Sequence, residues 1–106
     1  MAKAKIEAGN CGYTANIEAV ADAEDKYNIK IKIDSDCRHI QKLAEDLDEV
    51  NALGEISFRR GSPSILEKGA QYCTHASCPV PVGIIKTVEV AAGLALPQIA
   101  KIEVEK

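Results

Sequence analysis

Four cysteines are the residues of this sequence best suited to chemistry: Cys11, Cys37, Cys73 and Cys78. Thiolates bind zinc and iron–sulfur clusters or act as nucleophiles, whereas protonated cysteines often only fill an apolar core. The spacing of Cys73 and Cys78 is a modest signal by itself, because strong zinc motifs contain two closely spaced pairs. Three interpretations are therefore open: metal or cluster ligands, reactive thiols, and small core residues.

The first third of the chain alternates apolar and polar residues in three segments. These segments are residues 3–8, 14–21 and 27–34, and the clearest places Ile29, Ile31 and Ile33 on one side with lysines on the other. A period of two with β-branched residues inside predicts half-buried strands. We expect them to form an antiparallel meander with one face exposed to water.

The rest of the chain is predicted to be mostly helical. After Ser35-Asp36, apolar residues recur at steps of three and four from Cys37 to Val50, which is one face of a helix. A capping-box pattern at Ser64 begins a short helix. A last helix begins near Pro79 and stops at Leu96-Pro97. The alternation then returns in a final predicted strand over residues 100–105.

Every cysteine falls at the end of a predicted element. Strands 1 and 3 of a meander run the same way, so Cys11 and Cys37 emerge at the same edge of the sheet. Their backbones are then about 10 Å apart, twice the interstrand spacing. That gap is too wide for a disulfide but suits two thiolates that reach inward to a metal or small cluster. We predict all four cysteines as ligands, supported by three neighbours: Gly12, Asp36 and His75.

These supporting residues have different expected roles. Gly12 lets the backbone approach a cluster closely, Asp36 tunes a nearby thiol, and His75 is a reserve ligand or proton donor. Cys37 and Cys78 precede helices, whose N–H groups stabilise a thiolate. For Asp36 we favour helix capping or solvation at the strand end, with tuning of a thiol as the alternative. For Cys37 the alternative role is a core residue on the apolar face of the helix.

The shared cysteine site also predicts the sheet order. If Cys78 joins Cys11 and Cys37, the last helix must begin at their edge and run back across the sheet. The final strand then lies parallel beside strand 1 through a right-handed crossover. The sequence therefore predicts an α+β two-layer sandwich with helices on one face of a four-stranded mixed sheet, in the order 3-2-1-4.

The order of strands, helices and cysteines resembles that of the U-type iron–sulfur cluster assembly scaffolds. The match covers Cys11 in Gly-Asn-Cys-Gly, Cys37 in Ser-Asp-Cys, and Cys78 or Cys73 before the last helix, whereas Tyr13 replaces the family's aspartate. The resemblance implies cluster binding, and partners in iron–sulfur or sulfur-transfer metabolism. The block from Cys73 to Pro81, with its Cys-Pro-Val-Pro motif, also looks like a family of small prokaryotic proteins of unknown function.

Composition and charge disfavour several classes of protein, including nucleic-acid-binding, membrane-spanning and secreted proteins. The 106 residues fit a single domain over residues 1–106. A net charge of −3 with no Trp does not predict a nucleic-acid-binding surface. No apolar run is long enough for a membrane span, and the start does not read as a secretion signal, so we expect a cytoplasmic protein. Phosphate-loop and hydrolase motifs are missing, which disfavours a conventional enzyme.

The sequence thus favours a small metal- or iron–sulfur-binding protein, with a scaffold or carrier role. One alternative is a structural zinc domain, in which the metal only holds the helices to the sheet. Another is a thiol-based sulfur carrier or redox protein, with Cys37 or Cys78 as nucleophile and Cys73 as resolving thiol.

Overall fold

The computed structural model describes residues 1–106 as an α+β fold with a four-stranded antiparallel sheet and four α-helices. The elements in chain order are β1 (Ala2–Glu7), β2 (Thr14–Ala21), β3 (Asn28–Ser35), α1 (Arg38–Asp46), β4 (Glu49–Asn51), α2 (Ala52–Glu55), a 3-10 turn (Phe58–Arg60), α3 (Ser64–Tyr72) and α4 (Val80–Ala91). None of the helices combines the length and apolar character that crossing a bilayer requires.

The first three strands form the predicted antiparallel meander. Ile6 of β1 lies opposite Ala15 of β2, and Ala15 lies opposite Ser35 of β3. The C-terminal ends of β1 and β3 therefore lie at the same end of the sheet, as the alternation predicted. We call this end, where the strands stop, the thiol edge. Ala15, Ile17 and their neighbours face the helices and are almost fully buried, while the other sheet face carries lysines and acids.

The predicted sheet order 3-2-1-4 and the mixed sheet are wrong. The order is β1-β2-β3-β4 and every pair is antiparallel. The fourth strand is Glu49–Asn51, which returns from α1 to the free edge of β3 through short connections. Residues 97–106, predicted to contain the last strand, form no helix or strand. The three residues of β4 are too few to show a period in the sequence. Residues 100–105 do alternate, but alternation does not supply the neighbouring strand that a β-strand needs for its hydrogen bonds.

The helices cover one face of the sheet, as predicted. Helix α1 packs on β3, α4 packs on β1 and β2, and α3 packs against both helices. The core between them contains Ile17 and Ile29 from the sheet and Leu43, Ile84 and Val88 from the helices, each no more than 1% exposed. Burying a side chain of this size stabilises the fold by about 1.5–3 kcal/mol.

Helix α4 begins at the thiol edge. Its residue Gly83 lies so close to Ile6, near the end of β1, that a Cβ there would stand 2.3 Å from Ile6 Cδ1. Val88 and Ala92, one and two turns beyond the buried Ile84, are also buried, and α4 packs on β1 and β2. The later turns of α4 therefore lie over the sheet and run back from Ile6 toward the start of β1. The expected starting edge of the last helix is therefore correct, although the strand expected to follow it does not form.

Candidate thiol site

Three helix ends bring three cysteines to one region of the thiol edge. Cys37 immediately precedes α1, Cys73 immediately follows α3, and Cys78 stands two residues before the start of α4. All three thiols are free, half-buried and packed against the hydrophobic core. We call Cys37, Cys73 and Cys78 the thiol cluster.

The end of β3 positions Cys37. The Ser35 hydroxyl donates to the Thr14 carbonyl over 2.8 Å, and the Ser35 Oγ accepts from the Cys37 N–H over 3.2 Å. The Cys37 carbonyl then accepts from the Gln41 N–H over 2.9 Å, which is the first hydrogen bond of α1. Cys37 is thus held between the second strand and the first helical turn, in extended backbone that suits a helix N-cap.

A close contact between α3 and α4 brings Cys73 near Cys78. A Cβ on Gly69 of α3 would lie 2.6 Å from Pro81 Cγ, so any larger residue would require the two helices to shift. The Gly69 carbonyl accepts from the Cys73 N–H over 2.8 Å, which fixes Cys73 one turn beyond this contact. On the other side, the Cys78 N–H donates to the His75 carbonyl over 3.2 Å and closes the turn into α4.

Burial and the two neighbouring thiols raise the pKa of Cys73. The pKa of the Cys73 thiol is raised from its ordinary value of 9.0 to about 11, and burial is the largest cause. The neighbouring Cys78, through its charge and a side-chain hydrogen bond, and the charge of Cys37 raise the same pKa. Cys78 and Cys37 therefore both lie near Cys73, and with a pKa of about 11 the Cys73 thiol is protonated at neutral pH in the metal-free protein.

Cys11 lies outside this cluster. It is exposed in the turn between β1 and β2, beside Gly12, whose positive φ of 76° is readily adopted only by glycine. Gly12 and Asp36 line a shallow polar cleft together with Thr14 and Asp34. The structure therefore brings together three of the four predicted ligands and leaves Cys11 at the turn.

The residues expected to support the ligands lie in two separate places. Gly12 and Asp36 belong to the polar cleft, and the exposed His75 contributes its backbone carbonyl to the turn before Cys78. No set of three or more His, Cys, Asp or Glu side chains stands in the arrangement that a metal ion requires. Metal binding by the thiol cluster would thus require its thiols to turn toward a common centre.

Sequence reasoning missed the two residues that assemble the cluster. Gly69 lies inside a helix, where glycine costs about 1 kcal/mol relative to alanine, and such a residue often marks close packing. That signal was available, but the identity of its neighbour, the buried Pro81, depends on how α3 crosses α4. Neither residue bears a reactive group, and both act by setting the distance between the helices.

Comparisons with known proteins place the chain in a family without assigning an activity. No curated protein and no solved structure matches it. A family profile matches residues 2–104, which is nearly the whole fold, including all four cysteines and both helices that carry the Gly69–Pro81 contact. The chain therefore belongs to the family of unknown function DUF6951.

Proposed function

We propose that this protein binds a thiophilic metal ion or an iron–sulfur cluster through Cys37, Cys73 and Cys78, and acts as a small carrier or scaffold. The observation that carries the proposal is the convergence of three thiols from three separate helix ends. Three thiolates so close together would repel one another, and a bound cation such as Zn²⁺ or iron would remove that repulsion as it displaces the thiol protons.

The surroundings of the thiol cluster favour exchange of a bound metal ion or iron–sulfur cluster over its permanent burial. The thiols are half-buried, and residues 74–77 between Cys73 and Cys78 are all exposed. Structural zinc sites are closed and use four protein ligands, whereas three converging thiols leave a position for a partner's ligand. We therefore favour a carrier over the structural zinc alternative, with Cys11 outside the ligand set.

The expected partners follow from this role. A carrier of this chemistry would exchange its cargo with proteins of iron–sulfur or sulfur-transfer metabolism, as the resemblance to the U-type scaffolds suggests. A reducing cytoplasmic location is part of the proposal, because free thiols persist there.

Metal titration of four single variants tests the ligand set. Cobalt(II) bound to thiolates gives a charge-transfer absorption, and reconstitution with iron and sulfide reports a cluster. We expect Cys37→Ser, Cys73→Ser and Cys78→Ser each to weaken binding more than tenfold, since even residues behind the ligands contribute about 10- to 100-fold. Cys11→Ser is the matched control and should bind as the natural chain does.

Two outcomes would contradict the proposal. The first is an anaerobically prepared protein that takes up neither cobalt, zinc nor an iron–sulfur cluster. The second is binding that survives all three cluster variants. One zinc ion per chain, whose removal unfolds the protein, would instead favour the structural alternative.

The nearness of Cys78 to Cys73, whose pKa it raises, favours a second candidate, a dithiol redox protein. Here the two thiols are oxidised to one disulfide, and their two electrons and two protons pass to an acceptor disulfide, which is reduced to two thiols. Equilibration with oxidised and reduced glutathione, followed by alkylation and mass measurement, tests this candidate. A Cys73–Cys78 disulfide that forms reversibly supports it, and its failure to form at any glutathione ratio would eliminate it.

A further inference from the structure

The outer edge of β1 has no hydrogen-bonding neighbour. In the order β1-β2-β3-β4, β1 pairs only with β2, so one row of its backbone groups remains free. The core is also incompletely covered there: Ala4 and Ile6 are only partly buried, whereas Ala15, Ile17 and Ala19 on β2 are at most 1% exposed. A six-residue open edge of this kind is a template for another strand.

The C-terminal tail has the pattern of a strand but no partner within its own chain. Ala100, Ile102 and Val104 alternate with Lys101, Glu103 and Glu105. Ile102 is 84% exposed and Val104 is 88% exposed, and residues 97–106 form no helix or strand. Apolar residues repeated on one side of an extended segment are typical of a strand that pairs elsewhere.

The charges of the tail complement those of β1 in one antiparallel register. With Glu103 opposite Lys5, the tail also places Glu105 opposite Lys3 and Lys101 opposite Glu7. The same register sets Ile102 opposite Ile6 and Val104 opposite Ala4, on the side that faces the helices. Opposite charges and apolar residues that face each other across strands both stabilise a sheet.

The β1 lysines remain accessible to such a strand. Lys3 contacts Glu18 at 3.8 Å and Lys5 contacts Glu7 at 3.7 Å, but these ion pairs are exposed and at long range. Both lysine side chains keep about two-thirds of their surface open to solvent, at 66% and 67%.

The tail of the same chain does not reach this register. Helix α4 begins beside Ile6 and runs back toward the start of β1, so the tail leaves from the wrong end. To set Lys101 opposite Glu7, residues 94–100 would have to cross the full strand, about 20 Å, and then reverse direction. Seven extended residues span at most about 23–25 Å, which leaves no length for the turn.

We propose that residues 101–105 of one copy pair with residues 3–7 of a second copy, and reciprocally, so that two chains form a strand-exchanged dimer. The four-stranded order of each chain is unchanged, and each sheet gains one antiparallel strand from its partner. A two-fold dimer of this kind is a closed assembly, with the same contact made twice. The occupant of the β1 edge is thus a second copy of this chain.

Charge reversal on the two sides of the contact tests the proposal. We expect the full chain to sediment as a dimer. Glu103→Lys with Glu105→Lys should raise the dimer dissociation constant more than tenfold, and so should Lys3→Glu with Lys5→Glu, because each reverses charge pairs in both contacts. An equimolar mixture of the two double variants should form a heterodimer, since every contact in it is again complementary.

The remaining outcomes separate this dimer from other assemblies. Lys30→Glu with Lys32→Glu, on an interior strand of the same sheet face, is the matched control and should remain dimeric. A natural chain that is monomeric at every concentration would overturn the proposal. So would a dimer that persists without residues 99–106, or two charge variants that fail to associate when mixed although each is folded.

Discussion

Replacing Gly69 with alanine should separate α3 from α4 and thereby weaken the thiol cluster. The new Cβ would lie 2.6 Å from Pro81 Cγ and 3.0 Å from Pro81 Cβ. Carbon atoms pack at about 3.5–4.0 Å, so one helix must move by about 1 Å. The proline ring cannot rotate away as a flexible side chain would.

The stability change is the balance of two effects. Overpacking of this kind costs about 1–3 kcal/mol. The better helix propensity of alanine returns up to about 1 kcal/mol. We therefore expect Gly69→Ala to lower the free energy of unfolding by about 1–2 kcal/mol, measured by urea denaturation with circular dichroism. Gly54→Ala is the matched control, because Gly54 is also in a helix and a Cβ there would contact nothing within 4 Å.

The functional measurement separates assembly of the cluster from stability. Because Cys73 follows Gly69 by one turn and Cys78 precedes Pro81 by three residues, a shift of 1 Å moves the two thiols apart. Gly69→Ala should then bind cobalt(II) less tightly than Gly54→Ala while both are folded. Equal stability and equal cobalt affinity in the two variants would refute the argument that this contact positions the thiols.

Three further results are expected from packing, capping and burial. Gly83→Ala should destabilise the fold by about 1–3 kcal/mol because its Cβ meets Ile6. In denaturant unfolding, the stability loss of the double variant Gly83→Ala with Ile6→Ala should be smaller than the sum of the two single losses. Glu55→Ala should cost about 1–3 kcal/mol, more than Glu55→Gln, because the buried carboxylate accepts from the Ile65 N–H at 2.8 Å. In the metal-free protein, alkylation of Cys73 followed by mass spectrometry should accelerate about tenfold per pH unit from neutrality to near pH 11, since burial raises its pKa to about 11. The contribution of the protonated Cys73 thiol to the free energy of unfolding should be complete below pH 9 and lost as the pH rises through 11. An alkylation rate that levels off by pH 9 would contradict both the rate prediction and this pH dependence of stability.

The sequence alone determined the elements whose patterns are local and long. The alternation of Ile29, Ile31 and Ile33 predicted β3, because side chains two apart on a strand share a face. The capping-box pattern predicted α3 at Ser64–Tyr72, because the preferences of a helix start act within one turn. These features require no knowledge of what lies across the core.

The fourth strand was decided by tertiary structure. Glu49–Asn51 is a strand because the free edge of β3 lies beside it, whereas the tail alternates and has no such edge within its own chain. Backbone hydrogen bonds between strands depend on a neighbour distant in sequence. A period therefore identifies which side chains share a face without identifying the strand that pairs with them.

For the candidate site too, one part was predictable from the sequence and the other depended on tertiary structure. The sequence placed each cysteine at the end of an element, because turn and capping residues mark those ends. Tertiary packing decided which thiols lie near one another: the contact of Gly69 with Pro81 brings Cys73 near Cys78, whereas Cys11 remains exposed in its turn. The physical reason is that element ends depend on neighbours along the chain, whereas distances between thiols depend on how closely two helices approach.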